Sequence, residues 1–170
     1  VEVLKAALQE VVRRHETLRT RFPAEGGRPV QVIEERLQLP WRYVDAGSGS
    51  AEELERRVRA LVDAEVQRPF DLATGPVFRS TLVRVGEQEH VLVLVLHHIV
   101  SDGWSLGVLN GELTALYGAY ARGESSPLPE LEVQYADFAE WQREWLKDAV
   151  LPRQRQYWRK QLEGVPVLQL

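Results

Sequence analysis

A run of six apolar residues, Val91 to Leu96, constrains the fold of this chain more than any other segment. Such an unbroken run, rich in β-branched side chains, predicts a strand that is buried on both faces. A second apolar segment, Val77 to Val85, precedes it, and Gly86 begins the short polar connection between the two. The pair therefore predicts a β-hairpin. Two imidazoles, His97 and His98, follow directly at the end of the second strand.

The composition is that of an ordinary globular protein. The 170 residues suffice for one domain with a hydrophobic core, and 44% of them are apolar and 27% charged. The net charge of −4 predicts no basic surface for nucleic acid. The absence of cysteine excludes disulfides, thiolate catalysis and zinc–thiolate sites. No apolar stretch reaches the roughly 18 residues of a membrane span. No signal peptide is recognisable, so the expected compartment is the cytoplasm.

Both ends predict that the chain is a piece of a longer polypeptide. The sequence contains no methionine. Val1 already belongs to a helical pattern that continues through Leu4, Leu8 and Val11, with no capping residue before it. The other end stops in the apolar run 165–170. We therefore expect that the chain has been excised from a larger protein.

Helical and strand patterns are interleaved along the chain, which predicts an α/β or α+β fold. Helices are expected up to Arg14, from the capping box Ser50–Glu53 to Pro69, from Leu106 to Gly123, through Phe138, Trp141 and Trp145, and from Pro152 with Tyr157 and Leu162 on its buried side. Further strands are expected at Val30–Ile33 and Trp41–Val44.

The histidine pair offers an imidazole that can act as a base near neutral pH. Because successive strand residues point to opposite faces, His97 and His98 are expected to point apart, one toward the core and one toward a cleft. Asp102, four residues after His98, is a candidate to orient an imidazole or to pair with an arginine. Free backbone N–H groups at Gly103, where a helix begins, are candidate donors to an oxyanion.

Other interpretations of these segments remain open at this point. A buried histidine is usually a hydrogen-bonded core residue, and a metal site is a further alternative. Divergent side chains argue against ligation of one ion by both histidines. The segment Arg14–Phe22 has the charge pattern of a solvated helix end, and Tyr135–Arg143 has the spacing of core packing with a polar outer face.

Five parts of the chain match the motifs of one known family. His97–Ser105 matches HHxxxDG, Arg14–Phe22 matches RHExLRTxF, and Tyr135–Arg143 is similar to YxDYAxWQ. The shorter matches are Pro69–Leu72 with Gly75–Pro76, for PFDL…GP, and Gln156–Trp158 with Leu162–Gly164. Together they resemble condensation domains of nonribosomal peptide synthetases, in order and spacing, over essentially all 170 residues. HHxxxDG alone is shared by several related acyltransferases.

The resemblance implies a fold and its extent. Condensation domains consist of two chloramphenicol-acetyltransferase-like halves. We therefore expect an α/β (α+β) sandwich, a half-domain with a mixed β-sheet and flanking helices. Residues 1–170 would be the N-terminal subdomain without its first strand, which carries the SxAQxRLW motif, and without the whole C-terminal subdomain. The family's active site lies in a tunnel between the halves. The chain alone is therefore expected to be inactive and to expose apolar surface where the other half docks.

The resemblance also implies roles for individual residues. His98 is expected to be the catalytic residue that deprotonates or positions the acceptor amine. Three neighbours are expected to support it: His97, Asp102 and Gly103. Gly103 would keep the tunnel floor open. An unpaired buried Asp102 would be costly, so we expect an ion pair with Arg19 or, as the second choice, Arg14.

Substrates and partners follow from the same resemblance. The amine attacks a thioester carbonyl, and both reactants arrive on phosphopantetheine arms of donor and acceptor peptidyl carrier proteins. An adenylation domain is expected in the same assembly line. No cofactor or metal of the domain's own is implied, and no nucleic acid or membrane partner.

The subtype is less sharply defined by the motifs. Ser101 before the aspartate, together with Glu16–Arg19, favours domains that join two L-residues over those that accept a D-donor. The alternatives are an epimerisation domain, a non-catalytic recruitment module of the same fold, and a free-standing acyltransferase that uses a soluble acyl thioester.

Overall fold

The structure, a computed structural model, describes residues 1–147 and 149–166. The chain forms two compact units, Val1–Leu131 and Glu132–Leu170. The first is an α+β unit and the second is helical. No described helix combines the length and the apolar character of a membrane span.

The first unit contains the helices and strands that the sequence predicts, with four short strands in addition or in shortened form. Its elements are α1 (Glu2–Arg14), a 3₁₀ turn (Glu16–Arg19), β1 (Thr20–Arg21), β2 (Ala24–Glu25), β3 (Arg28–Pro29), β4 (Val32–Ile33), β5 (Trp41–Asp45), α2 (Ala51–Gln67), β6 (Phe78–Arg84), β7 (His90–Leu96) and α3 (Gly103–Ala121). The Ser50–Glu53 capping box that begins α2 is present, and Gly123 follows α3 with a φ of 74°.

A three-stranded mixed sheet in the order β5–β6–β7 forms the centre of this unit. β5 runs parallel to β6, and β6 and β7 form the predicted antiparallel hairpin. At its turn, the N–H of Gly86 donates to the carbonyl of Glu89 at 3.2 Å. The prediction of a mixed sheet with flanking helices is confirmed. The short strands form two separate antiparallel pairs, β1 with β4 and β2 with β3.

Each face of the sheet packs against helices. On one face, the apolar side of α2 covers Val83 and Val93 through Leu54, Val58 and neighbouring residues. The other cluster joins α1 and α3 to Phe78 and to the alternate residues of β7: Leu92, Leu94 and Leu96. The period-2 alternation of β7 therefore supplies both hydrophobic layers.

The expectation that β7 is fully buried on both faces is wrong in degree. Only Val93 is buried in this strand, whereas β6 is buried from Phe78 to Val83. The reason is the position in the sheet of the described residues. β6 is central and has a strand on each side, whereas β7 pairs with β6 alone. A side chain on an outer strand has packing neighbours on fewer sides.

The second unit consists of α4 (Tyr135–Trp145) and α5 (Val150–Gln161). Both helices lie where the sequence predicts them, and Pro152 falls in the first turn of α5. Their expected core packing is wrong, because neither helix has a buried residue. The large apolar residues are at least 41% exposed: Tyr135, Phe138, Trp141, Trp145, Leu151, Tyr157, Trp158 and Leu162. The α4 rings instead contact each other, with Trp141 stacked on Trp145 at 5.7 Å.

Candidate functional site

The histidine pair lies in a tight turn that follows β7. The N–H of His97 donates to the carbonyl of Val77 at 2.9 Å, which continues the ladder by one residue. The His97 carbonyl then accepts from the N–H of Val100 at 3.0 Å and from Oγ of Ser101 at 3.3 Å. Val100 is buried and anchors the turn in the core. Between these fixed points, His98 is exposed.

The two imidazoles do point in different directions, but the turn separates them rather than strand alternation. Nδ1 of His97 accepts a hydrogen bond from the N–H of Ile99 at 3.0 Å, so its neutral form carries the proton on Nε2. The half-buried ring also meets Phe70 edge-on at 5.7 Å. His98 makes no hydrogen bond with any described residue, which leaves its ring nitrogens accessible to a substrate.

Phe70 connects the histidine turn to the end of α2. The Arg79 guanidinium lies over the Phe70 ring, 3.7 Å from its centroid, which is a cation–π geometry. Arg79 also donates to the carbonyls of Glu65, Arg68 and Pro69 at 3.0, 2.6 and 3.1 Å. A cation at these carbonyls caps the C-terminal end of α2. Burial, followed by the nearby Arg68 charge, lowers the pKa of Arg79.

The sequence did not point to this contact chain, because Phe70 and His97 are far apart in the sequence. We expect Phe70→Leu to lower the free energy of unfolding by about 0.5–1.5 kcal/mol, the typical aromatic-pair contribution, and to shift the ring-proton NMR signals of His97. Phe138→Leu, on the exposed aromatic face of α4, is the matched control and should do neither. Unchanged His97 signals in Phe70→Leu would contradict the assignment. Thermal melting and histidine NMR measure both effects.

Asp102 begins α3 as its N-terminal cap. Its Oδ1 accepts from the N–H of Ser105 at 2.8 Å and from Oγ of Ser105 at 2.7 Å. Oγ of Ser105 accepts in turn from the N–H of Asp102 at 3.2 Å. These bonds with Ser105 lower the pKa of Asp102, and the charge of His98 contributes least. The carboxylate is exposed, so it needs no cation to remain ionised.

The predicted ion pair between Asp102 and Arg19 or Arg14 is therefore wrong. In the described part of the chain, Asp102 lies within salt-bridge distance of no arginine. Arg19 donates to the carbonyl of Glu34 and pairs with Glu16 at 3.3 Å. The premise of the prediction was a buried carboxylate, and a helix N-cap stabilises an exposed one instead. The N–H of Ser105 is also occupied by this cap, which removes one of the expected oxyanion donors.

Substitutions at Asp102 distinguish a cap from an ion pair. Asparagine caps helices about as well as aspartate, so Asp102→Asn should melt within about 1 kcal/mol of the parent protein. Asp102→Ala removes the acceptor and should lower the free energy of unfolding by about 0.5–2 kcal/mol. Denaturant unfolding of both variants gives the comparison. Equal losses in both variants would show that the negative charge, and not the cap, is what matters.

Arg14 and His15 hold α1 against α3. The Arg14 side chain is 2% exposed, and its Nη2 lies 3.2 Å from Glu112 on α3. Nη1 of Arg14 also donates to the carbonyl of Pro129 at 2.8 Å. Nε2 of His15 lies 2.8 Å from the second oxygen of Glu112. Burial by itself would raise the pKa of Glu112, but the bonds from Arg14 and His15 lower it overall.

A cavity of about 170 Å³, here called the motif cavity, lies where the Arg14–Phe22 and His97–Ser105 segments meet. Its walls come from α1, the 3₁₀ turn, the end of β7 and α3. The lining residues are Val11, His15, Thr17, Leu18, Leu96, Val100, Ser101, Trp104, Ser105, Val108 and Leu109. The interpretation of Arg14–Phe22 as a solvated helix end is therefore incomplete, since part of this segment forms a wall beside the histidine turn.

Two further predictions concern Gly103 and metal binding. A Cβ added to Gly103 would meet no described atom within 4 Å, so no contact in the structure accounts for the glycine. Within residues 1–147 and 149–166, no three histidine or acidic side chains come together as metal ligands.

Comparison with known proteins decides the family, because the model of the condensation domain matches residues 1–170. The chain belongs to the condensation domain family. A linear gramicidin synthase of Brevibacillus parabrevis is 45% identical over 173 aligned residues, which cover all of this condensation domain chain and 2% of that synthase. The chain thus spans only a small part of the relatives that it matches.

Solved structures place the same condensation domain fold on this chain. The SgcC5 protein of Streptomyces globisporus superposes with a TM-score of 0.82 at 34% identity, over 99% of this chain and 38% of that one. The epimerization domain of tyrocidine synthetase B reaches a TM-score of 0.84 at 22% identity, over 99% and 38%, which shows a shared fold. The predicted fold class is therefore confirmed.

Proposed function

We propose that this condensation domain forms an amide bond between two thioester-bound substrates, with His98 as the catalytic residue. The observation that carries the proposal is the His97–Val100 turn. It is fixed at both ends by backbone hydrogen bonds, and it leaves one imidazole exposed and free of hydrogen bonds to the described residues. Family membership supplies the reaction class.

The chemistry requires one proton acceptor. The acceptor amine attacks the donor thioester carbonyl, so that a C–N bond forms and the C–S bond breaks. His98 accepts or positions the amine proton during the attack, and the proton finally resides on the departing thiol. His97 supports this role by holding the turn, because its Nδ1 is already bound to the backbone N–H of Ile99.

We propose that residues 1–170 form the N-terminal part of the domain and act with a C-terminal half. The chain covers 38% of the SgcC5 chain that it resembles, and the helices α4 and α5 expose large apolar side chains. Contiguous exposed apolar surface is uncommon on monomers beyond a few hundred Å². Both observations support a second half as the occupant of exposed surface.

Substrate delivery follows from the same family membership. We propose that donor and acceptor carrier proteins present their substrates on phosphopantetheine arms, and that an adenylation domain belongs to the same assembly line. The domain then needs no cofactor of its own. A cytoplasmic location and the joining of two L-residues remain predictions that rest on sequence motifs.

The test is a peptide-formation assay with loaded carrier proteins. Residues 1–170 alone are expected to form no product above the uncatalysed rate, and the same residues joined to a family C-terminal half are expected to form it. Robust turnover by the chain alone would contradict the two-half proposal. Exchange of the donor α-proton with solvent deuterium, without amide product, would favour the epimerisation alternative.

A further inference from the structure

We infer that the motif cavity binds the apolar side chain of an aminoacyl substrate and so selects for it. This inference deepens the proposed function and rests on it. The cavity lies entirely within the first unit, between α1 and α3. It is therefore a feature of this chain and does not require the other half for its walls.

The lining of the cavity favours apolar ligands. Leu18, Leu96, Val100, Val108 and Leu109 form most of the wall. The volume of about 170 Å³ is comparable to that of apolar protein cavities of about 150 Å³ that bind benzene. A leucine side chain or a phenyl ring therefore matches the available space.

The polar side chains at the cavity are already satisfied. Ser101 and Ser105 form their hydrogen bonds inside the segment 97–105, and His15 binds Glu112. None of these three needs a polar group of a ligand to complete its bonding. A charged substrate side chain would lose its hydration without gaining a partner, and burying an unpaired charge is strongly unfavourable. The cavity is therefore expected to reject aspartate and lysine side chains.

The position of the cavity connects it to His98. Val100 and Ser101 line the cavity and follow His98 in the same turn. A side chain bound against them would hold its own α-carbon, with the attached amine and thioester, beside the exposed imidazole. Trp104, which is 84% exposed, stands at the rim and can cover a bound side chain.

The expected selectivity follows from the burial of one side chain. Burying a leucine or phenylalanine side chain corresponds to roughly a 10- to 100-fold gain in affinity over glycine. Leucine and phenylalanine probes should therefore bind in that proportion more tightly than the glycine probe. The aspartate probe should bind no more tightly than glycine.

The experiment titrates the 170-residue chain with N-acetylcysteamine thioesters of leucine, phenylalanine, glycine and aspartate, monitored by NMR of valine and leucine methyl groups. Each probe is used with a free amine, which mimics an acceptor, and with an acetylated amine, which mimics a donor. Val108→Trp fills the cavity and should abolish the preference for leucine. Val66→Trp, at a 62%-exposed position on α2, is the control and should retain it. Val108→Ala enlarges the cavity and should shift the preference toward phenylalanine.

The outcomes separate this inference from the proposed function. Methyl shifts at Val100 and Leu109 that saturate for the leucine probe, and vanish in Val108→Trp, support the inference. Which amine form binds identifies the acceptor or donor side chain as the occupant. Equal affinity for leucine and glycine, or a preference unchanged in folded Val108→Trp and Val108→Ala, overturns it. Amide formation by the two-half domain is measured separately, so loss of selectivity with activity retained counts against the cavity alone.

Discussion

Replacing His98 with glutamine is expected to slow amide formation by the two-half domain by about 10²- to 10⁴-fold, which is the usual contribution of a general acid–base residue. Glutamine keeps a polar side chain of similar length but cannot accept the amine proton at neutral pH. The melting temperature should change little, because an exposed side chain without hydrogen bonds contributes within about 0.5 kcal/mol to stability.

The matched control is His90→Gln. His90 is the exposed imidazole at the opposite end of the same strand, and its ring lies 6.2 Å from Tyr43. This variant should retain full activity and the same melting temperature. If His98→Gln retains the parent rate, the catalytic assignment fails, and a recruitment module of the same fold becomes the better proposal. If His98→Gln melts far below the parent, its role is structural instead.

Arg14→Gln is expected to lower the free energy of unfolding by about 3–5 kcal/mol, the usual loss when one partner of a buried ion pair is removed. The Arg14 side chain is 2% exposed and that of Glu112 is 13% exposed. The variant leaves Glu112 with His15 as its remaining partner and also loses the hydrogen bond to the carbonyl of Pro129. Denaturant unfolding at pH 7 measures the loss.

The neighbouring Arg13 provides the control. Its side chain is 50% exposed and pairs with Glu10 and Glu130 at the surface, so Arg13→Gln should cost at most about 1 kcal/mol. The double variant Arg14→Met, Glu112→Leu should recover much of the loss, since an apolar pair leaves no buried charge unpaired. Equal losses in Arg13→Gln and Arg14→Gln would show that burial of the pair does not determine its contribution.

The same pair predicts an acid-dependent term in stability. The folded-state pKa of Glu112 lies below its ordinary value of 4.5. Its contribution is therefore fully present above pH 4.5 and is lost as the pH falls through the lowered folded value. In Arg14→Gln a bond that lowers this pKa is gone, so the difference in stability between parent and variant should shrink as the pH decreases from 5 to 3. A difference that stays constant over this range would contradict the role of Glu112 ionisation.

Local patterns in the sequence predicted the elements well. The hairpin, the Ser50–Glu53 capping box and the end of α1 depend on residues near one another in the chain, so hydrophobic periodicity and capping chemistry suffice to find them. The motif order also identified the family. Exposure of the α4 aromatics was not predictable, because spacing specifies which residues share a face but not whether another layer covers that face.

The candidate site shows the same division. The sequence by itself determined that a strand ends at two histidines and that an aspartate and a glycine begin the next helix. Tertiary structure decided the partners: Phe70 for His97, Ser105 for Asp102, and Glu112 for Arg14. The Phe70 and Glu112 contacts join residues that are distant in the chain and depend on how α2 and α3 pack. The Ser105 contact is local, but the choice between a cap and an ion pair depends on burial, and burial is set by the packed fold.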